Sequence, residues 1–476
     1  MEVRKMSRAI IQIHEKPPLT KALPLALQHV FAMFGATVLV PFLTGLSPAV
    51  ALLTSGIGTL IFHFITKGKI PAYLGSSFAF IAPLAAFTML NPQTNPHPSI
   101  SQAMAGALVA GVVYIAVFMI IKLFGTGFID RYIPSIVVGP VVMIIGLALA
   151  GVAVNSMAST NWIVAIFTLA VTILFSVFGK GLLQIIPILL GIISGYLFSI
   201  LSQTVGWTQK FVDMGIANKD MAFVNFSGIM QAPWIANPTS AYASQFPGQV
   251  FSFASFNFPI PSFTLAAIIT IAPIALVAIV EDLGHVFVIG NVTGKNLIKD
   301  PGFDRVLLGN GIATAVASLF GGPPSTTYGE NIGVLSITKV YSAWVIRIAA
   351  VIAIVLSLVG KLSAFLSSIP TAVMGGVCIL LFGMIAAAGM RTMIEAKSDL
   401  GSTRNLIIVA LILILGVGIQ NHGIAYATLA GIILNAILPE DKESASKSAD
   451  KNFEADAELD FVVPPLKNKK SKTNRA

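Results

Sequence analysis

The amino-acid sequence predicts an all-α polytopic membrane protein, with about fourteen transmembrane segments in a 7+7 inverted repeat. Three observations predict it. Of 476 residues, 55% are hydrophobic and only 10% charged, against about 25% charged in an ordinary soluble domain. Basic residues gather in every second connection between apolar runs, as they do in cytoplasmic loops. Two stretches in the two halves of the chain match each other. "IPSIVVGPV" (Ile133–Val141) and "IPTAVMGGV" (Ile369–Val377) share Ile, Pro, Val, Gly and Val, with Ser against Thr.

The apolar segments lie at about 24–44, 49–66, 72–90, 103–122, 133–154, 161–178, 183–204, 263–288, 306–320, 326–339, 342–359, 369–388, 403–420 and 423–438. The third and tenth are the weakest, and charge decides them. The basic N-terminus, Lys67 and Lys69, Lys122 and Arg131, Lys180, Lys295 with Lys299 and Arg305, Lys339, and Arg391 with Lys397 and Arg404 mark alternate connections. The connections between them carry no Lys or Arg, with Lys361 the one exception and the long 205–261 stretch set apart. The alternation holds only if the third and tenth segments cross the membrane, and it places both termini in the cytoplasm. The formal charge of +9 therefore reads as a set of topology signals, not a nucleic-acid footprint. Residues 1–22 form a cytoplasmic lead-in with no cleavable signal. Residues 205–261 form an irregular extracytoplasmic connection, and 439–476 a polar, disordered tail. A single cysteine, Cys378, excludes an intrachain disulfide and a cysteine-rich metal site.

The two weak segments have a common character. "PAYLGSSFAFIAP" opens the third, and "PPSTTYGENIGV" opens the third of the second half. Prolines, small polar residues and glycine at those places predict a short extended piece followed by a half-helix. Non-helical backbone at membrane depth survives only inside protein or along a cavity. Two such pieces from inverted halves would meet near the midplane and point helix N-termini at one spot.

Ionisable groups within spans mark function by default. Glu330 lies in the tenth segment. Glu281 and His285 in "IVEDLGHVF" are four residues apart, on one helix face, and suited to sharing a proton. Asp282 faces elsewhere and reads as a structural or helix-end charge. His29 and His63 read as packing or interfacial residues. Two carboxylates without an accompanying Lys or Arg would repel an anion, and Phe78 beside them would be wasted on a metal ion. A flat, neutral heterocycle fits better. The carboxylates accept ring N–H groups, backbone amides donate to its carbonyls, and Phe78 stacks on its face. No catalytic triad, metal cluster or P-loop is visible, so no enzyme is expected.

"ENIGVLSITK" (Glu330–Lys339) resembles the signature of the nucleobase–ascorbate transporter family: Gln, Glu or Pro, then Asn, any residue, Gly, four residues, Thr, and Arg, Lys or Gly. Glu in first place resembles the uracil permeases, as do "GSSFAFIAP" and "EDLGH". The resemblance implies a core domain (23–124 and 262–360) and a gate domain (125–204 and 361–438). It implies proton symport of uracil into the cell, protons being the coupling ion with no other cofactor or metal. It also implies a homodimer in the plasma membrane, formed through the gate domain. Carried over, Glu281 and Glu330 hold the pyrimidine, Phe78 stacks on it, and Tyr328 and Gly329 offer backbone contacts. His285 supports Glu281 and its proton, and Ser77, Asn331 and Phe382 support the site. Phe382 is a departure, because uracil permeases often carry Tyr in this twelfth span. The alternatives are a carrier of the same fold for xanthine or thymine, and more remotely a carrier of an inorganic anion.

Overall fold

The computed structural model describes residues 11–90, 95–125, 134–219, 223–419 and 423–439. The expected disordered tail, apart from Pro439, and the Asp130–Arg131 connection lie outside them. Among the described residues, seven helices are long and apolar enough to cross a membrane, and five further apolar helices run 10–17 residues. In chain order the first elements are α1 (Leu19–Thr44), α2 (Pro48–Ile65), β1 (Leu74–Ser76), α3 (Ile81–Thr88), α4 (Ile100–Phe124), α5 (Ser135–Gly151), α6 (Trp162–Phe178) and α7 (Pro187–Thr204). A hairpin of β2 (Val250–Phe253) and β3 (Phe256–Pro259) follows, then α8 (Leu265–Ile271), α9 (Ile274–Thr293) and α10 (Phe303–Leu319). The chain continues through β4 (Ser325–Thr327), α11 (Gly329–Thr338), α12 (Ala343–Ser357), α13 (Thr371–Glu395), α14 (Thr403–Gly418) and α15 (Gly423–Ile437).

Local chemistry sets the boundaries. Ser47 caps α2 by accepting from the Val50 amide, with Pro48 at the first helical position. Ser99, Asn161, Ser342 and Ser402 cap α4, α6, α12 and α14 in the same way. α1 ends at Gly45, whose φ of 66° suits a residue without Cβ. The eighth apolar segment, expected as one helix, is two. Pro273 has no N–H to continue the ladder, and α9 restarts after it.

The two interrupted segments pair with each other. β1 and β4 run antiparallel, with Leu74 opposite Thr327, Gly75 opposite Thr326 and Ser76 opposite Ser325. The Tyr328 amide donates to Tyr73 O and the Ser77 amide to Pro324 O, both at 2.9 Å, so the ladder extends one bond at each end. The outer edges of so short a sheet need partners, because no water is at hand. They find them in side chains. Leu74 N–H donates to Thr59 Oγ1 on α2, Ser325 N–H to Thr314 Oγ1 on α10, and Thr327 N–H to Asp282 Oδ1 on α9. Each strand is followed at once by a helical piece: the turn Phe78–Phe80 with α3, and α11.

α4 packs on α10, α2 on α10 and α12, and α1 on α12. Separately, α13 packs on α5 and α6, α14 on α5 and α15, and α6 on α7. α5 and α13, which carry the two matching stretches, each start just after a proline, Pro134 and Pro370. They approach through facing glycines. A Cβ on Gly139 would meet Gly389 O at 2.9 Å, and one on Gly389 would strike Gly139 O. Small residues let helix backbones come this close, which is the main source of packing energy in lipid.

The 205–261 connection is more regular than expected. It holds helices at Trp207–Asp213, Ser227–Gln231 and Ser240–Gln245 besides the hairpin. Alternating Phe251, Phe253, Phe256 and Phe258 supply its strand pattern, and Ala254 and Ser255 turn it with positive φ. Tyr242 is fully buried. Its hydroxyl donates to Gly321 O at 2.8 Å and accepts from the Ser47 amide at 3.1 Å, latching the connection onto the approach to β4. Lys361, the exception to the charge pattern, is a cap. Its Nζ donates to the carbonyls of Ile229 and Met230 at the end of a short helix and lies 5.8 Å from the Trp234 ring centroid. At the other end, Ile11 to Glu15 straps the loop between α11 and α12. Tyr341 N–H donates to Ile11 O, Ala343 N–H to Ile13 O, and Ser342 Oγ to Glu15 O.

Candidate functional site

The strand pair brings the two half-helices to one place, and the junction residues are the expected site residues. A Cβ on Gly75 would fall inside the Tyr328 ring, so only glycine lets β1 lie against that tyrosine. Tyr328 is buried. Its hydroxyl donates to Ser76 O at 3.2 Å and accepts from Thr37 Oγ1 at 3.3 Å. Neither strand–helix junction has a side-chain cap: Ser77 and Tyr328 stand at the N-cap positions without one. The first backbone amides of both helical pieces therefore remain as donors beside the junctions. Gly329 is exposed and Glu330 half-buried, so the second junction is not sealed by packing. Two further buried polar atoms lack partners, Ser77 Oγ and Asn331 Oδ1.

α9 crosses behind the junctions. A cavity of about 890 Å³ lies between it, the Phe78 turn, α5 and α13. Phe78, Glu281, Gly284 and His285 line it together, opposite Val138, Val142 and Ile385. Its titratable residues are Glu281, His285 and Glu395, and no Lys or Arg lines it. Glu395 is paired with Arg391 at 2.6 Å. The one other ion pair among the described residues joins Lys69 to Asp300, so neither Glu281 nor Glu330 has a cation beside it. Glu281 lies near both Asp282 and Glu330. His285 reaches across to the second junction. Its Nε2 would stand 3.3 Å from a Cβ placed on Gly329.

The expected residues thus fall into two groups. Phe78, Glu281 and His285 share the cavity wall. Tyr328, Gly329 and Glu330 form the adjoining junction, where Tyr328 packs against Gly75 and its main chain is engaged, the amide by Tyr73 O and the carbonyl by the Ile332 amide. Ser77 is the corresponding junction residue of the first half. Asn331 is held by α1: its Nδ2 donates to His29 Nδ1 and to His29 O, both at 3.1 Å. Phe382 does not line the cavity. It is buried in the apolar layer behind Phe78, with Val38, Leu149 and Cys378.

Three residues carry more than the sequence suggested. His29 positions Asn331. His63 accepts from Arg347 Nε at 3.3 Å through Nδ1, so its other nitrogen donates to Ala72 O at 2.8 Å and holds the entry to β1. Asp282 is fully buried and accepts five hydrogen bonds. Thr327 N, Thr327 Oγ1 and Thr326 Oγ1 donate to Oδ1 at 2.9, 2.8 and 3.0 Å. Tyr114 Oη and Asn310 Nδ2 donate to Oδ2 at 3.1 and 2.6 Å. The sequence signal for it was slight, a second carboxylate one residue from Glu281.

A many-helix membrane fold with a largely apolar cavity at paired helix breaks, carrying a carboxylate and an imidazole on its wall, is the arrangement of a transporter. Residues 20–423 match the Permease family (Xan_ur_permease). The chain belongs to this family of nucleobase–ascorbate transporters, and is a transporter, not an enzyme. The uracil permease of Bacillus caldolyticus is 42% identical over 464 residues, covering 94% of this chain and 99% of that one. Those of Bacillus subtilis (strain 168) and Escherichia coli (strain K12) are each 44% identical, over 90% and 91% of this chain and 94% and 93% of their own. Among solved structures, the fold is similar to the transmembrane domain of the cyanobacterial bicarbonate transporter BicA. The TM-score is 0.58 at 15% identity, over 90% of this chain and 99% of that one. It is also similar to the murine anion transporter Slc26a9, with a TM-score of 0.59 at 11% identity, over 89% and 69%.

Proposed function

We propose that this permease imports uracil by proton symport. The observation that carries the reading is the cavity wall itself, where an aromatic face, Phe78, stands beside an unpaired carboxylate, Glu281, with uncapped helix N-termini adjoining. Uracil offers two ring N–H donors and two carbonyl acceptors on a flat ring. Glu281 and Glu330 accept the N–H groups, the free amides near Ser77 and Gly329 donate to the carbonyls, and Phe78 stacks. Several relatives at 42–44% identity are uracil permeases, which supports the same substrate. Two of the solved structures of similar fold are anion transporters. An anion does not suit this cavity, since two carboxylates neighbour it and no Lys or Arg lines it.

The proton enters through Glu281 and His285, four residues apart on α9. Uptake proceeds by movement of a core (α1–α4 and α8–α12) against a gate (α5–α7 and α13–α15). The separate packing of these two groups of helices supports that division. A second cavity of about 700 Å³ supports the movement. It borders the end of α5 and the turn after it (Ala148–Ser156) and the Ala82–Leu90 stretch, whereas the first borders the earlier part of α5 and Phe78. The first ends near Glu395, beside the basic Arg391–Lys397 connection, and so faces the cytoplasm. Fourteen crossings in a 7+7 inverted repeat account for the charge alternation, the antiparallel β1–β4 pair and the facing α5 and α13. The protein acts as a multi-pass plasma-membrane homodimer with both termini in the cytoplasm.

The test is uptake of labelled uracil by proteoliposomes, competed by unlabelled uracil, thymine, 5-fluorouracil and xanthine. The pyrimidines compete and xanthine does not. Competition by xanthine at concentrations equal to uracil overturns the assignment.

A further inference from the structure

Asp282 shares its helix with Glu281 but points away from the cavity, and nothing in the proposed cycle uses it. Its hydrogen bonds reach the cavity indirectly. Thr327 Oγ1 donates its single proton to Asp282 Oδ1 at 2.8 Å. The same oxygen lies 2.9 Å from His285 Nδ1. A carboxylate with five donors around it is acceptor-only, so the Thr327 proton is committed to it. His285 Nδ1 must then be the donor toward Thr327. A neutral imidazole holding its proton on Nδ1 leaves Nε2 with a free lone pair. Nε2 is the atom beside Gly329, and His285 lines the cavity.

We propose that Asp282 is a positioning residue of the transport cycle: through Thr327 it fixes the tautomer of His285 and leaves Nε2 as the proton-accepting atom at the second junction. The proposal rests on the proton-symport reading. The same carboxylate ties three elements to α9, holding β4 through Thr326 and Thr327, α4 through Tyr114, and α10 through Asn310. It thereby keeps Glu281 and the Tyr328–Glu330 junction at one spacing. The titratable groups facing this knot are Glu281 and His285 on α9, Tyr114 on α4, and Tyr328 with Glu330 at the start of α11. Lys122 on α4, and Asp304 and Arg305 on α10, lie at helix ends away from it. α5 and α8 carry no titratable residue, and Tyr426 on α15 is exposed.

Removing the acceptor has a definite consequence. In Asp282→Ala the Thr327 hydroxyl is free to donate to His285 Nδ1, which moves the imidazole proton to Nε2 and turns the cavity-side nitrogen from acceptor to donor. Thr327→Val removes the link while keeping the Thr327 amide bond to Asp282, so it covers the case in which Asp282→Ala fails to fold. Thr327→Ser restores the link.

Two readouts separate this role from a structural one. The first is the ¹⁵N spectrum of imidazole-labelled protein, with His285 assigned by difference against His285→Gln. The wild type shows a protonated Nδ1 and an unprotonated Nε2, and Thr327→Val loses that pattern. The second compares counterflow exchange of labelled uracil with its accumulation driven by a pH gradient. Thr327→Val lowers accumulation at least tenfold and leaves exchange within about threefold, and Thr327→Ser behaves as wild type. A wild-type Nε2 that carries the proton overturns the proposal. So does a Thr327→Val protein in which exchange and accumulation fall together or neither falls. If wild-type accumulation itself ignores the pH gradient, the proton-symport reading falls and this proposal with it.

Discussion

Gly75→Ala tests the joint on which both half-helices depend. The new methyl group would sit within the Tyr328 ring, nearest Cζ and Cε2. The ring cannot swing aside without losing two hydrogen bonds, from its hydroxyl to Ser76 O and from Thr37 Oγ1 to that hydroxyl. Overpacking a tight interior costs about 1–3 kcal/mol, and each lost hydrogen bond about 1 kcal/mol. The substitution should therefore cost about 3–5 kcal/mol and pry β1 from β4. Thermal unfolding of the purified protein and uracil uptake measure the two effects, and both should fall sharply. A double-mutant cycle supplies the control. Tyr328→Ala removes the ring, so adding Gly75→Ala to it should cost less than about 1 kcal/mol more, a coupling of about 2–4 kcal/mol. Strict additivity of the two substitutions, or a Gly75→Ala protein with wild-type melting and uptake, refutes the account of the joint.

Other outcomes follow from the same geometry. Glu281→Gln keeps the shape of a cavity residue and removes a charged acceptor, worth about 1.5–3 kcal/mol; uracil affinity by equilibrium binding should drop about tenfold to a hundredfold. Lys361→Met removes two bonds to carbonyls and the contact with Trp234; it should lower stability by about 1–2 kcal/mol and leave the uracil KM unchanged. Tyr242→Phe strands Gly321 O and the Ser47 amide, at about 1–3 kcal/mol, again without effect on KM. Burial pushes the Tyr242 phenol above its ordinary range, so the folded state favours the protonated form. Its contribution is constant below about pH 10 and lost above it, which stability measured across pH will follow.

Much of this arrangement was legible because its causes are local. Proline and small polar residues around "GSSFAF" and "TTYGE" cannot sustain a helix, and each yields a short strand followed by a helical piece. The four-residue spacing of Glu281 and His285 puts both on the cavity wall. What was not legible depends on distant partners. The donors to Asp282 come from Tyr114, Asn310 and Thr326–Thr327, between 28 and 168 residues away, and no periodicity announces them. Tyr242 likewise meets Ser47 and Gly321 only because the chain folds back on itself. Two further features are local and written in the sequence. Pro273 signals the break between α8 and α9, and the alternating phenylalanines of "FSFASFNF" signal the hairpin. Phe382 sits in the apolar layer behind Phe78, where its lack of a hydroxyl leaves nothing unsatisfied.

Coupling of uracil to protons at this cavity is tested most directly in a reconstituted membrane. Proteoliposomes loaded at neutral pH and diluted into acidic buffer should accumulate labelled uracil above the external concentration. A protonophore should collapse the accumulation to equilibrium, and Glu281→Gln should abolish it. Accumulation that is indifferent to the protonophore, or that persists in Glu281→Gln, contradicts the account.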